Sequence, residues 1–200
     1  MLWRLPNTVS RLAIYIHGAT ASERSFAFIQ KSIRSKDPIF LNYEKEGTAK
    51  DNLAEMIETL NSVKDPLFIV AHSLGGVYAT YLQQEVDNVK GVVSLATPFN
   101  GSEIATWGAM LNPGYQLFRD IRTSSDFIRT SRKIDITVPW LQVVTTVGDV
   151  PWIQGTNDGI VTRSSMMCRD DIDYTEIDRN HYEVVLSKRV VDIIKKRVYK

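Results

Sequence analysis

The sequence predicts an α/β fold built on a mostly parallel sheet. Six short apolar runs alternate with longer amphipathic segments along the chain. Most of the runs are continuously apolar and rich in β-branched or aromatic residues, which is typical of strands buried on both faces of a parallel sheet. Because 200 residues suffice for one substantial core, we expect a single domain over residues 1–200, with helices flanking about six strands.

The individual strands and helices follow from these patterns. Strands are predicted at residues 12–16, 39–41, 67–71, 92–96, 141–147 and about 172–177. Apolar residues at helical spacing predict helices at residues 22–33, 48–60, 74–86 and 182–198, the second of them with Thr48 as its N-cap. Regular alternation of strand and helix implies parallel neighbouring strands joined by right-handed crossovers.

Residues 98–138 depart from this alternation. They carry apolar residues that look exposed, interrupted by Pro and Gly, and a structureless segment of this length is rare in a compact domain unless it has a function. We therefore expect a cap-like insertion of short helices that covers one end of the sheet and forms a binding wall. The alternative is an ordinary crossover with an extra helix. The apolar residues are Trp107, Met110, Leu111, Tyr115, Leu117, Phe118, Phe127 and Ile128.

Composition and charge exclude several classes of function. Lys and Arg total 24 against 23 Asp and Glu, so the net charge of +1 provides no field to hold nucleic acid or an anionic membrane. A single Cys excludes a disulfide framework and a metal site made of several cysteines. No apolar stretch approaches ~20 residues, and the N-terminus lacks a clean signal peptide. We therefore expect no nucleic-acid partner, no stable membrane insertion and a cytoplasmic location.

The strongest local signal is the segment A-H-S-L-G that follows the third predicted strand and precedes a helix. It fits the small-x-Ser-x-small pattern of a nucleophile elbow, in which a serine lies on a sharp, strained turn between strand and helix. The turn is so tight that the residues two positions either side must be small, and Ala71 and Gly75 meet this condition. Ser73 is therefore the candidate nucleophile; the alternative is a serine that only caps the helix.

A serine hydroxyl needs a base to take its proton, and the sequence contains three histidines. His72 is adjacent to Ser73 on the turn, where neighbouring side chains diverge. His17 ends the first strand. His181 follows the last strand, and it alone obeys the chain order Ser, acid, His that accompanies an elbow. His181 is therefore the candidate base; the alternative is a residue at the start of the last helix, with Asn180 as its cap.

The acid that orients this base should lie between Ser73 and His181, close to the end of a strand. Asp158, in T-N-D-G-I-V-T, follows the fifth strand through a short loop and precedes a glycine that allows a bend. Asp149 lies nearer the strand end and is the alternative. Alternatively, Asp158 is an aspartate that only forms a turn before Gly159.

Acyl transfer also requires donors for the oxyanion that forms in the transition state. One is expected to be the backbone N–H of Leu74, the residue after the nucleophile, at a helix N-terminus. The second should come from the loop after the first strand, where the segment H-G-A-T begins. Ala19 is the candidate there and Thr20 the alternative, with His17 and Gly18 shaping the loop.

Five segments together resemble the α/β-hydrolase family, and within it the small bacterial triacylglycerol lipases and lipase-like serine acyl hydrolases. They are I-H-G-A-T, A-H-S-L-G-G, L-A-T-P-F-N-G-S, N-D-G-I-V and N-H. The third is similar to a lipase pattern, L-G-T-P-H-x-G-S, found also in deacylases of inositol-linked lipid anchors; Ala96 and Phe99 replace its usual Gly and His. The fourth is similar to D-G-V-V, which carries the triad acid in those lipases and so supports Asp158 over Asp149.

The resemblance implies hydrolysis of a carboxylic ester through an acyl-enzyme at Ser73, with Asp158 and His181 completing the triad and no metal or organic cofactor. The substrate would be a small-molecule ester or a lipid. Two alternatives stay open: a thioesterase or lipid deacylase with the same triad, and a catalytically idle hydrolase fold that only binds.

Overall fold

The computed structural model describes residues 12–19, 21–33, 37–44, 46–102, 114–148 and 150–198. Its centre is a six-stranded sheet in the order β2-β1-β3-β4-β5-β6, and every neighbouring pair is parallel. The predicted fold class is confirmed. The strands are β1 (Leu12–Ile16), β2 (Ile39–Leu41), β3 (Leu67–His72), β4 (Val89–Leu95), β5 (Trp140–Thr145) and β6 (Asp173–Ile177).

Helices cover both faces of the sheet, and this explains why the strands read as continuous apolar runs. Successive residues of β1 alternate between two buried clusters: Ile14 and Ile16 belong to one, Ala13 and Tyr15 to the other. The helices are α1 (Ala27–Ile33), α2 (Ala49–Asn61), α3 (Leu74–Glu85), α4 (Gln116–Asp120), α5 (Asp126–Ser131), α6 (Arg163–Met166) and α7 (Lys188–Val198).

Element boundaries differ from the prediction where local backbone geometry intervenes. The predicted strand at residues 141–147 runs instead from Trp140 to Thr145. The predicted helix at residues 182–198 is divided into a 3₁₀ turn (Glu183–Leu186) and α7, because Ser187 between them has an extended conformation, with ψ 123°. Thr48 caps α2 as predicted, and its hydroxyl accepts a hydrogen bond from the Asp51 backbone N–H.

The predicted cap at residues 98–138 is described only in part. Residues 103–113, and with them Trp107, Met110 and Leu111, lie outside the described residues. The described remainder forms α4 and α5, whose apolar side chains are mostly buried in the core rather than exposed, as the values of 2% for Leu117 and 0% for Ile128 show. In this part Phe118 contributes to a wall beside Ser73.

None of the described helices is long and apolar enough to cross a membrane.

Candidate active site

Ser73 lies on the sharp turn between β3 and α3 with φ 52° and ψ −124°, a conformation that costs a residue other than glycine about 1–3 kcal/mol. Two backbone hydrogen bonds hold it there: the Ser73 N–H donates to the Leu95 carbonyl, and the Gly76 N–H donates to the Ser73 carbonyl. Gly75 permits the turn because a Cβ at this position would lie 2.2 Å from the Ile16 carbonyl oxygen. The turn that carries Ser73 therefore packs directly against the end of β1.

The close contact at Gly75 predicts that Gly75→Ala strongly destabilises the folded protein. The methyl group would meet backbone atoms that cannot rotate away, so we expect the free energy of unfolding to fall by roughly 3 kcal/mol, at the upper end of overpacking costs. Gly114→Ala is the matched control, since a Cβ at Gly114 meets nothing within 4 Å. Urea unfolding of both variants checks this; equal midpoints would show that the elbow tolerates the methyl group.

The structure brings Ser73, His181 and Asp158 together. The Ser73 Oγ lies 3.0 Å from Nε2 of His181, and Nδ1 of the same ring lies 2.8 Å from Oδ2 of Asp158. A carboxylate only accepts hydrogen bonds, so Nδ1 carries the ring proton and donates a hydrogen bond to Asp158. Nε2 then has a free lone pair and accepts a hydrogen bond from the Ser73 hydroxyl. The ring is thus held in the tautomer that a general base needs.

The Asp158 carboxylate is fixed by four donors. Oδ1 accepts from the backbone N–H groups of Ile160 and Val161, and Oδ2 accepts from the Thr145 hydroxyl and from His181. Burial alone would raise the pKa of Asp158, but these hydrogen bonds and the nearby His181 outweigh it and lower the pKa below its usual value. The carboxylate therefore stays charged where it faces the imidazole.

The loop that carries Asp158 passes close to the end of β5. At Gly148 the backbone has φ +147°, and a Cβ there would lie 2.2 Å from the Asp158 carbonyl carbon. Thr145, the last residue of β5, reaches the same carboxylate. Sequence reasoning missed both residues, although a threonine and a glycine around a strand end were the available signal. The alternative acid, Asp149, lies outside the described residues.

The segment N-H lies between β6 and the following 3₁₀ turn. The Oδ1 of Asn180 accepts from the backbone N–H groups of Tyr182 and Glu183 and so holds the approach to that turn. His181 faces Ser73 with its ring and is 3% exposed. Its backbone N–H donates to the Asp158 carbonyl at 3.1 Å, so His181 and Asp158 are joined through both backbone and side chain.

The loop after β1 lies directly against the elbow. A Cβ on Gly18 would lie 3.1 Å from the Ser73 Cβ, and both Ala19 and Leu74 line the pocket at Ser73. Both residues predicted to supply the oxyanion donors therefore lie at the pocket that contains Ser73. Thr20, the alternative to Ala19, is outside the part of the chain that the structure describes.

Tyr43 supports this loop and was not foreseen from the sequence. Its hydroxyl donates to the His17 carbonyl at 2.8 Å, and its ring stacks on the His17 ring with centroids 4.3 Å apart. Burial, reinforced by the neighbouring Tyr78, raises the pKa of Tyr43 well above its usual value. The hydroxyl therefore remains a donor over the whole physiological range and ties β2 to the end of β1.

His72 does not reach Ser73, as expected for adjacent side chains on a turn. Its Nε2 lies 2.9 Å from the His181 carbonyl oxygen, and the ring is 3% exposed. Burial, the neighbouring His181 and the more distant His17 lower the pKa of His72 to about 3, although Asp158 and the hydrogen bond favour the charged form.

This shift predicts a pH dependence of stability. The pKa of His72 is lower in the folded protein than the usual 6.5, so the unfolded chain binds one more proton below that pH. Stability is then full above pH 6.5 and falls by about 1.4 kcal/mol per pH unit as the pH drops toward 3. Urea unfolding between pH 8 and 5 should show a steeper loss for wild type than for His72→Gln; parallel slopes would contradict this.

A pocket of about 200 Å³ opens at Ser73, between the loop after β1 and α4. Within the described ranges its walls include no Asp, Glu, Lys or Arg, and they are mainly apolar. The apolar lining includes Ala19, Ala21, Leu74, Pro98, Phe118, Ile121, Ile160 and Val161.

A larger cavity, of about 370 Å³, lies elsewhere and is lined mostly by charged side chains. Its Arg169 guanidinium is already paired with Asp171 at 2.6 Å and donates to two backbone carbonyls. Desolvation raises the pKa of the Cys168 thiol there, which works against a reactive thiolate. We therefore take the smaller pocket at Ser73 as the candidate active site. Among the residues that the structure describes, no group of three His, Cys, Asp or Glu could hold a metal ion.

Solved structures share this fold, although no family model and no curated protein matches the sequence. The mature lipase BlEst2 of Bacillus licheniformis has a TM-score of 0.74 at 16% identity, over 98% of this chain and 94% of that one. Phospholipase PlaB of Legionella pneumophila has a TM-score of 0.73 at 9% identity, over 96% and 60%. A metagenomic carboxyl esterase has a TM-score of 0.72 at 14% identity, over 100% and 74%. With its parallel six-stranded sheet, the chain therefore has the α/β-hydrolase fold and resembles small bacterial lipases and esterases in structure.

Proposed function

We propose that the protein is a serine hydrolase that cleaves carboxylic esters through an acyl-enzyme at Ser73. The observation that carries the proposal is the continuous hydrogen-bond chain from the Ser73 hydroxyl through His181 to the Asp158 carboxylate. It begins on a strained elbow and ends on a buried carboxylate, and it faces a pocket that a small substrate can enter. The named activities of the structural neighbours, lipase, carboxyl esterase and phospholipase, agree with this reaction.

In the first half-reaction the Ser73 Oγ attacks the acyl carbon while Nε2 of His181 takes the hydroxyl proton. Asp158 stabilises the imidazolium that results, and the backbone N–H groups of Leu74 and Ala19 bind the oxyanion. The carbon–oxygen bond to the alcohol then breaks, and His181 gives its proton to the departing oxygen. Water repeats the sequence on the acyl-enzyme: His181 takes a proton from water, the acid is released and Ser73 regains its hydrogen.

The pocket favours a short, uncharged acyl group. A dry apolar cavity of about 150 Å³ is known to accept benzene, so about 200 Å³ corresponds to an acyl chain of roughly six to eight carbons. Burying a carboxylate or phosphate here would be costly, because the described part of the wall carries no Lys or Arg and a desolvated charge needs a partner. The substrate class is therefore a neutral short- to medium-chain ester, free or part of a lipid.

A series of nitrophenyl esters tests this proposal. We expect kcat/KM to be highest between butanoate and octanoate and to fall at least tenfold for hexadecanoate. The succinyl half-ester, which matches butanoate in length but carries a carboxylate, should also be at least tenfold poorer. Thioesters of the same acids test the thioesterase alternative, which gains support if they exceed the esters in kcat/KM. No hydrolysis of any member would count against the proposed function.

A further inference from the structure

His72 connects the nucleophile's strand to the loop that carries the base. It is the last residue of β3, directly before Ser73, and its Nε2 lies 2.9 Å from the His181 carbonyl oxygen. Because a carbonyl only accepts, Nε2 must carry the proton. The other ring nitrogen, Nδ1, is buried and has no hydrogen-bond partner among the described residues. It faces Gly18, where a Cβ would lie only 3.1 Å away.

The His181 backbone is held at two points. Its N–H donates to the Asp158 carbonyl, and its carbonyl accepts from His72. The first bond fixes His181 relative to Asp158, but it does not fix the distance between His181 and Ser73. The second joins His181 to the residue covalently linked to Ser73. It therefore spans the gap across which the Ser73 hydroxyl must reach Nε2, a contact of 3.0 Å.

We propose that His72 is a positioning residue, whose Nε2–H holds the His181 backbone against the nucleophile's strand and so sets the Ser73–His181 distance. The proposal rests on the proposed function of Ser73 and His181. A misplacement of about 1 Å between reacting groups can cost about 100-fold in rate, so loss of one such bond is sufficient to matter.

If His72 only filled space, its variants would differ in rate from the pattern that a required donor predicts. The ring occupies the room between Gly18 and the His181 loop, and a leucine of similar size would fill much of that room. If volume were the only requirement, leucine would preserve the rate. If the donor is required, leucine leaves the buried His181 carbonyl without its partner, and an amide donor restores it.

Two variants separate these roles. His72→Leu removes the donor, whereas His72→Gln places an amide N–H the same number of bonds from the backbone as Nε2. We expect His72→Leu to lower kcat for a nitrophenyl ester about 10- to 100-fold with little change in KM, and His72→Gln to recover most of it. Thr80→Val is the control for a general effect of core changes. It removes a buried hydroxyl on α3 that donates to the Gly76 carbonyl and to neither histidine. Unchanged kcat in His72→Leu, or no recovery in His72→Gln, would overturn the proposal.

Ring-nitrogen NMR keeps the inference testable apart from turnover. The wild-type spectrum should show His72 neutral and protonated on Nε2 across the pH range of activity; protonation on Nδ1 would overturn the proposal even if His72→Leu does not fold. Should the wild type hydrolyse no ester, the proposed function fails, and His72 is judged on the Nε2 nitrogen shift of His181, which reports the hydrogen bond from the Ser73 hydroxyl. That shift should move toward the value of an unbonded imidazole nitrogen in His72→Leu and stay at the wild-type value in His72→Gln; equal shifts would contradict a positioning role.

Discussion

Replacing Ser73 with alanine is expected to abolish ester hydrolysis, with a loss of at least about 10⁴-fold in kcat. Such a loss corresponds to about 5.5 kcal/mol of transition-state stabilisation. The substitution removes the only atom that would attack the acyl carbon. It should leave the elbow intact, because an alanine in this chain already adopts a positive φ: Ala96 has φ 51°, close to the 52° of Ser73.

The measurement is the initial rate of nitrophenyl butanoate hydrolysis, with urea unfolding of the same sample to show that the variant is folded. Ser32→Ala provides the matched control, since Ser32 is a partly exposed serine on α1 whose hydroxyl donates to the Phe28 carbonyl. Activity in Ser73→Ala close to that of Ser32→Ala would contradict the assignment of Ser73 as the nucleophile.

The second large effect is expected for Asp158→Asn, with a loss of roughly 10⁴-fold in kcat. Oδ1 would still accept from the backbone N–H groups of Ile160 and Val161, which leaves the amide NH₂ facing His181. Two donors cannot pair, so the His181 ring would adopt the other tautomer, with its proton on Nε2. That nitrogen could then no longer accept the proton of Ser73, although the fold and the pocket would be unchanged.

Asp149→Asn is the informative comparison, because Asp149 is the other acid that the sequence allows. It should retain activity within about threefold of wild type, while KM for the ester stays similar in both variants. If Asp149→Asn were the inactive protein and Asp158→Asn the active one, the acid would have been assigned to the wrong residue.

The sequence predicts the sheet well because burial on both faces leaves a strong local pattern. All six predicted strands are present, and the errors are of a few residues at their ends. The helix boundaries were harder, since the division at Ser187 depends on one residue's backbone angle rather than on the spacing of apolar residues. The sequence predicts short cap-like helices in residues 98–138 but not how they pack. Leu117 and Ile128 are buried, and the packing of α4 and α5 against the core is a tertiary contact that periodicity cannot reveal.

In the candidate site too, the local sequence identifies some residues, whereas others are revealed only by tertiary contacts. Ser73, Asp158 and His181 stand in short segments with a chain order that can be read directly, and the structure brings them into contact. The supporting residues were missed because each acts on a partner far away in the sequence. Tyr43 bonds to a residue 26 positions earlier, and His72 to one 109 positions later. Nothing in the local sequence around either residue indicates such a partner.

The most direct test of the central claim is covalent labelling with a fluorophosphonate, followed by mass spectrometry of the digested protein. A nucleophilic serine activated by His181 and Asp158 should carry the phosphonyl group in stoichiometric amount on the peptide that contains Ser73. Labelling should disappear in Ser73→Ala and slow sharply in Asp158→Asn. An unlabelled wild-type protein, or a label on another residue that persists in Ser73→Ala, would contradict the account.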